Sequence, residues 1–366
     1  MRILFSIVDR AGCGWYRMIL PARALLEHFS DVEVKVVIAP DEEMVDWADL
    51  VVFQRYHERH LVLLERVKKL GKPAICGTDD LGINISPDNP VWLISRADGR
   101  IENVKKFLRL VDYVTVSTPT LREMLLPYNS NIRVFRNMLD LTDYSWRLPK
   151  VEHKGTIIGW AGGSSHYEDL RHINSAINTV VRMYPDVKFA VGGYDRRIRH
   201  SIIKRDEQGK PHIEKVVKID NPRGRVFWDE VLELFSPIGR KLIVLKGLPV
   251  EEYPVLFTTF DIVIAPLLDN QFNRCKSELK IIEAGAYKLP VVASSTGIYK
   301  EVIEHGVDGF LARNPKDFVK YLKILIENPD LRKEMGENLH QKVANLYDIN
   351  KHIKERYEFY KSILGS

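Results

Sequence analysis

Lys276, Lys280 and Glu283 stand at i, i+4 and i+7 of a stretch with helical periodicity, so one face presents two cations and then a carboxylate. A diphosphate joined to a ribose diol asks for groups in that order. The competing reading is a surface helix carrying an i to i+4 charge ladder. Against full exposure stand the small residues Ala284, Gly285 and Ala286 and the apolar run that follows them at once. Two glycine loops offer further chemistry. In one, Gly12 and Gly14 would let backbone approach a ligand while the next helix turns unpaired N–H groups toward an anion; Arg17 occupies the place of a dinucleotide fingerprint's third glycine, so the same residues also read as a tight turn. In the other, Gly162, Gly163 and Ser164 precede His166 and a helix opening at Asp169, which makes either a nest for a diphosphate or a flexible turn.

Further polar candidates follow expected strands. Asp79 and Asp80, and Arg55 and His57, could orient a sugar or an acceptor, with a helix cap or loop turn as the alternative for the aspartates and a surface position for His57 and His60. Ser277 reads as a helix N-cap that also meets phosphate, and His166 as a group able to touch a donor. No metal site is expected: the histidines lack a third ligand nearby, and Cys13, Cys76 and Cys275 are too far apart for a disulfide framework or a C-x-x-C site. A reducing cytoplasm suits that cysteine usage.

Alternating short apolar runs and helix-length segments must position these residues. Strands are expected at 3–8, 34–38, 50–53, 73–76, 113–117 and 132–135, then at 156–161, 188–191, 242–245, 261–265 and 291–293. Helices are expected near 169–183, 250–258, 277–287 and 297–305, and through the last fifty residues. That rhythm implies parallel sheets with helices on both faces, and ligands outside the carboxyl ends of the strands. The pattern lapses from 138 to 155, which puts a boundary near 146 and gives two doubly wound α/β domains in tandem. The segment 194–225 breaks it again, with ten Lys or Arg against five acids, and reads as a solvated loop or hairpin because no aromatic residues interleave with its charges.

The 366 residues, 45% hydrophobic and 28% charged, exclude a minimal binding module, a fibre and a disordered chain. The net charge of +5 suits anionic partners. The first apolar run is too short for a signal peptide, and no window approaches the ~18 apolar residues of a membrane span.

The block from Asp261 through Lys280, Glu283-Ala284-Gly285-Ala286, Leu289-Pro290-Val291-Val292-Ala293-Ser294, Gly297, Glu301-Val302-Ile303 and Gly306 to Leu311 resembles the donor-binding region of GT-B glycosyltransferases of the retaining group 1, GT4-like class. The two-domain rhythm, the glycine loop after the first strand and Asn137 extend the likeness over most of the chain. It departs from the pattern in two places. Cys275 stands where the family has the first of two glutamates, and Gly162-Gly163-Ser164-Ser165 stands where an arginine is usual, as in a divergent branch. The resemblance implies two facing Rossmann-like domains, at 1–145 on the acceptor side and 146–346 on the nucleotide-sugar side, with a final helix, 347–366, crossing back to the first.

It further implies a hexosyltransferase using a nucleotide-diphosphate sugar as co-substrate, with no bound cofactor or metal and with retention at the sugar carbon. Lys276 and Lys280 would neutralise the leaving diphosphate and Glu283 would accept the ribose hydroxyls; with Asp80 and His57, picked out by their places after expected strands, the two lysines make the expected catalytic set. Gly12, Gly14, Gly162, Gly163, Ser164, His166 and Ser277 would complete the donor site. A nucleotide-sugar epimerase of the same fold and a non-catalytic NDP-sugar-binding protein remain alternatives. The basic face near Val104 to Arg109 and the 194–225 segment fit a polyanionic acceptor, either a lipid-linked glycan at a membrane surface or modified nucleic acid, handled by a cytoplasmic or peripherally attached protein.

Overall fold

The computed structural model describes residues 1–85, 100–163, 166–194, 197–205, 211–220 and 222–365, with backbone alone over the parts of 197–227 it covers. Ser164 therefore lies outside the described residues. The first half forms a parallel sheet of six strands: β1 (Arg2–Ile7), β2 (Glu33–Ile38), β3 (Leu50–Gln54), β4 (Ala74–Thr78), β5 (Tyr113–Val116) and β6 (Ile132–Val134), in the order β2-β1-β3-β4-β5-β6. The second half builds another parallel sheet from β7 (Thr156–Ala161), β8 (Val187–Tyr194), β11 (Leu242–Lys246), β12 (Ile262–Ala265), β13 (Val291–Ser294) and β14 (Phe310–Ala312). Its order is β11-β8-β7-β12-β13-β14. β9 (Arg197–Arg205) and β10 (Pro211–Asp220) form a separate antiparallel hairpin, which is the form the basic 194–225 segment takes.

Strands buried on both faces need near-continuous apolar runs, and β1, β3, β7, β12 and β13 supply them. Strand order reverses between β1 and β3 in the first sheet and between β7 and β12 in the second. At such a reversal neighbouring loops part to opposite faces and leave a crevice at the strands' carboxyl ends.

Helical connections cover the sheets. After β1 the chain runs without a break through α-helical Gly12–Gly14, a π-helical turn at Trp15–Ile19 and α-helical Leu20–His28. Helices Glu58–Lys69, Arg100–Leu110 and Pro119–Leu125 serve the first sheet, while Tyr167–Met183, Leu279–Ala286 and Pro315–Glu327 serve the second. The helix expected at 250–258 is a 3-10 helix, Tyr253–Thr259, with Pro254 in its first turn, and the one expected at 297–305 is reduced to Tyr299–Val302. β14, three residues long, carries too little periodicity to be expected as a strand.

One apolar cluster is shared by both halves: Phe5, Trp15 and Ile19 belong to it together with Phe257, Ile282, Leu339 and Tyr360. The helix Pro329–Leu346 leads into Ile349–Leu364, which returns to the first sheet. There Tyr357 stacks on Phe29 at 3.8 Å between ring centroids and donates to Asp31, Phe359 packs on Tyr113 and Phe135, and Arg133 pairs with Glu355. No described helix is long and apolar enough to cross a membrane.

Candidate functional site

At the first reversal the loop after β1 is pinned by the end of β3. Gln54, fully buried, accepts from the backbone N–H groups of Val8 (2.7 Å) and Asp9 (3.2 Å) and donates to the Asp9 carboxylate. Arg55, in the left-handed region at φ 42°, pairs with the same carboxylate at 2.7 Å. A left-handed non-glycine residue stores strain that the surroundings must hold, and here the Gly77 carbonyl accepts the Arg55 N–H while the Arg55 carbonyl meets His60. Gly14 is required by close approach: a Cβ there would lie 2.0 Å from the Asp9 carbonyl oxygen. Gly12 meets no such constraint.

At the second reversal β7 ends at Ala161, and its carbonyl accepts from the Lys280 ammonium at 2.7 Å. Lys280 lies 5.3 Å from the Trp160 ring centroid, and a Cβ on Gly162 would come within 2.8 Å of its Nζ. Burial, with Lys276 adding to it, pulls the Lys280 pKa down to about 8. One turn on, burial pushes Glu283 up to about 7, and its Oε1 accepts from the Tyr16 hydroxyl at 2.8 Å. Tyr16 comes from the helical run that follows Gly12 and Gly14. The two glycine loops therefore converge on one helix, Leu279–Ala286, from opposite halves of the chain.

Lys276 is not on that helix, which begins later than expected because the chain first turns after the short helix Gln271–Arg274. Its ammonium sits 4.7 Å from the centroid of the Phe272 ring and 3.7 Å from Asp80 of the first half, with its side chain only 13% exposed. Ser277 does not cap the helix: Glu278 holds the N-cap position, and the Ser277 hydroxyl accepts from Asn137 at 3.0 Å. His166 is buried and bonded through Nδ1 to Asp169 at 2.7 Å; burial and the two lysines bring it down to about 4, so it is a neutral imidazole at neutral pH. The other Asp169 oxygen accepts from the Leu268 N–H and the Asn273 amide, tying the loop after β12 to the loop after β7. Gly163 has open space where a Cβ would be.

His57 stands apart from this group. It caps Glu58–Lys69, its Nδ1 accepting the Arg59 N–H at 3.3 Å, and burial together with Arg59 lowers its pKa. His60 is not a surface residue: it is buried between Ser6 and the Arg55 carbonyl, and burial brings it down to about 3. Among the described residues no group of three or more His, Cys, Asp or Glu side chains is set to hold a metal.

Sequence reasoning missed how firmly the first half grips the segment 275–283. Thr118 donates to the Cys275 carbonyl (3.1 Å), Asn137 to Ser277, and Arg136 to the buried Glu278 (3.0 Å) and to Tyr347 (2.7 Å). Cys275, where a carboxylate would be usual, is fully buried among apolar residues of the first half. Arg17, in the place of the missing glycine, is fully buried as well and donates to the Phe135 carbonyl and to Asn137. Such long-range partners leave no spacing signal. Asn137, three residues past the end of β6, is the one cue.

Residues 234–342 match the family model described as Glycosyl transferases group 1. Trehalose synthase of Thermococcus litoralis is 27% identical over 144 residues, 39% of this chain and 34% of its own length. Trehalose synthase of Pyrococcus horikoshii is 25% identical over 152 residues, 41% of this chain and 35% of its own. The matched stretch thus spans about a third of the length of these curated relatives. Over the whole chain the fold is similar to that of sucrose-phosphate synthase from Thermosynechococcus elongatus, with TM-score 0.69, 14% identity and coverage of 100% of this chain and 99% of that one. It is also similar to HepE of Anabaena, solved in complex with UDP and glucose, with TM-score 0.66, 15% identity and coverage of 99% and 100%. The segment 234–342 is thus similar to group 1 glycosyltransferases, and the fold of the whole chain is GT-B-like.

Proposed function

We propose that the chain moves a hexose from a nucleoside-diphosphate sugar to an acceptor hydroxyl, with retention at the sugar carbon. The donor lies in the cleft between a first domain, 1–145, and a second, 146–346, and the residues 347–366 tie the second back to the first. The observation that carries this reading is Lys280: a part-buried ammonium at the end of β7, beside Gly162, whose hydrogen bond among the described residues goes to a carbonyl rather than a carboxylate. A buried cation without a bonded counter-ion is a standing demand for an anion.

A diphosphate at the loop 162–163 meets Lys280 from below and Lys276 from the side of Asp80. These cations oppose the charge that develops on the leaving group as the glycosidic bond to phosphate breaks. Glu283 accepts the ribose hydroxyls once Tyr16 gives way or shares the carboxylate. His166, neutral and fixed by Asp169, offers its second ring nitrogen to the donor without adding charge. Asp80, half-exposed and facing Lys276, stands where an acceptor would approach. Gly12 and Gly14 bring first-domain backbone to the same cleft.

Because HepE was solved with UDP and glucose, UDP and UDP-glucose are the first ligands to try. Calorimetric titration with UDP, GDP and ADP is expected to give binding by at least one of them and its loss in Lys280→Ala. No binding by any of the three, with Lys280→Ala equally inert, removes this reading.

A further inference from the structure

Glu283 is 4% exposed, and among the described residues it forms no ion pair; its Oε1 accepts from the Tyr16 hydroxyl at 2.8 Å, and Tyr16 is itself only 5% exposed. Burial and the neighbouring carboxylate push the Tyr16 hydroxyl well up, so it stays a neutral donor. A buried carboxylate is thus held by an aliphatic-type O–H···O bond of the kind a ribose hydroxyl makes. The backbone around Tyr16 departs from the α-helix. The Leu20 N–H bonds the Trp15 carbonyl five residues back, whereas the Trp15 N–H bonds the Ala11 carbonyl four residues back. One residue turns a helical side chain by about 100°, so the π-helical turn Trp15–Ile19 resets the facing of Tyr16 relative to the helix that follows. Such turns recur at functional sites. Arg17 fastens the same turn, donating to the Phe135 carbonyl and to Asn137, which donates in turn to Ser277 just ahead of the helix that carries Glu283.

We propose that in the donor-free protein Tyr16 holds the place of a ribose hydroxyl on Glu283, so that a nucleoside diphosphate enters by exchanging one hydroxyl for another and Tyr16 sets how tightly the ribose is held. The inference rests on the glycosyl-transfer reading and gives its donor site a specificity-determining residue. Because both partners are at most 5% exposed, a ribose reaches the carboxylate by taking the place of the Tyr16 hydroxyl and not by sharing it. The exchange keeps a buried acceptor paired before and after, whereas a sugar without those hydroxyls would expel Tyr16 and leave the carboxylate bare. The Arg17 bonds take no part in the exchange, so the turn stays anchored while the tyrosine side chain moves.

The test is titration of the parent and of Tyr16→Phe, folded by its far-UV spectrum and melting midpoint, with UDP, 2′,3′-dideoxy-UDP and inorganic diphosphate; Tyr16→Leu serves if Tyr16→Phe does not fold, and GDP or ADP with its dideoxy form replaces UDP if UDP does not bind. UDP is expected to bind Tyr16→Phe about three- to tenfold more tightly than the parent, since no bond to Glu283 has to be broken first. Inorganic diphosphate, which has no ribose, should bind both proteins within about twofold, and UDP should outbind its dideoxy form in both by about tenfold. UDP affinity unchanged or lowered in the folded variant, as for a hydroxyl that only orients the carboxylate, overturns the inference, as does an equal gain for inorganic diphosphate or the absence of a preference for ribose. A parent that binds UDP with no gain in Tyr16→Phe sinks this inference alone, whereas a parent that binds no nucleotide sinks the transfer reading and this inference with it.

Discussion

At the reversal between β1 and β3 the polar groups satisfy one another: Asp9 holds Arg55, and Gln54 takes two N–H groups of the loop. At the reversal between β7 and β12 the cations are held less closely. Lys280 rests on a carbonyl, and Lys276 stands 3.7 Å from a half-exposed carboxylate of the other domain. Similar parallel sheets thus carry opposite electrostatic preparations at equivalent places. The first crevice is a finished piece of structure that fixes a loop, and the second holds its two lysines with longer or neutral contacts. Shape alone, which is nearly common to both, would not have told them apart.

The sharpest way to break the comparison is to remove one cation from each side. Lys280→Ala is expected to lower kcat/KM for donor turnover by about 10²–10³, the loss typical of one transition-state donor, whereas Arg55→Ala should cost under about tenfold in nucleotide affinity. Equal losses measured by steady-state donor hydrolysis and UDP titration would erase the distinction. A smaller effect separates the loops by their glycines. Gly14→Ala drives a methyl group into the Asp9 carbonyl and should cost about 2–4 kcal/mol in denaturant unfolding, while Gly163→Ala, in open space, should stay within about 1 kcal/mol.

The smallest effect is a proton count. In the free protein Lys280 titrates near 8, lowered by burial, and a bound diphosphate favours its charged form. UDP binding should therefore take up part of a proton between pH 8 and 9, and affinity should fall as pH rises through that window. Glu283, raised by burial to about 7, has the opposite sign: ribose hydroxyls favour the carboxylate, so binding near pH 6.5 releases part of a proton. Calorimetry in buffers of different ionisation enthalpy checks both. Lys280→Ala should abolish the uptake, Glu283→Gln the release, and Arg55→Ala neither.

Much of this was legible in the chain. The buried strands could be read because parallel sheets demand apolar runs, and β7 appears over the residues expected. Lys280 and Glu283 do share a helix, as their spacing implies, because spacing maps onto a helix face. Lys276 was placed on that face wrongly, since the helix starts only at Leu279 and the lysine belongs to the turn before it. The contacts of Tyr16 with Glu283, Thr118 with Cys275 and Arg136 with Glu278 join residues more than 100 positions apart, and no local pattern encodes such pairs. Asp169 was noted only as a helix start, yet it links His166 to Leu268 and Asn273 across the second reversal.

The returning helix Ile349–Leu364 bears on how the molecule is made. Tyr357 and Tyr360 complete the apolar cluster that Phe5, Leu20 and Leu25 begin, so the opening domain cannot bury that surface until roughly two hundred further residues have left the ribosome. At about 5–20 residues per second the wait lasts on the order of ten to forty seconds. For that interval the nascent first domain exposes a greasy flank, a natural handhold for a chaperone.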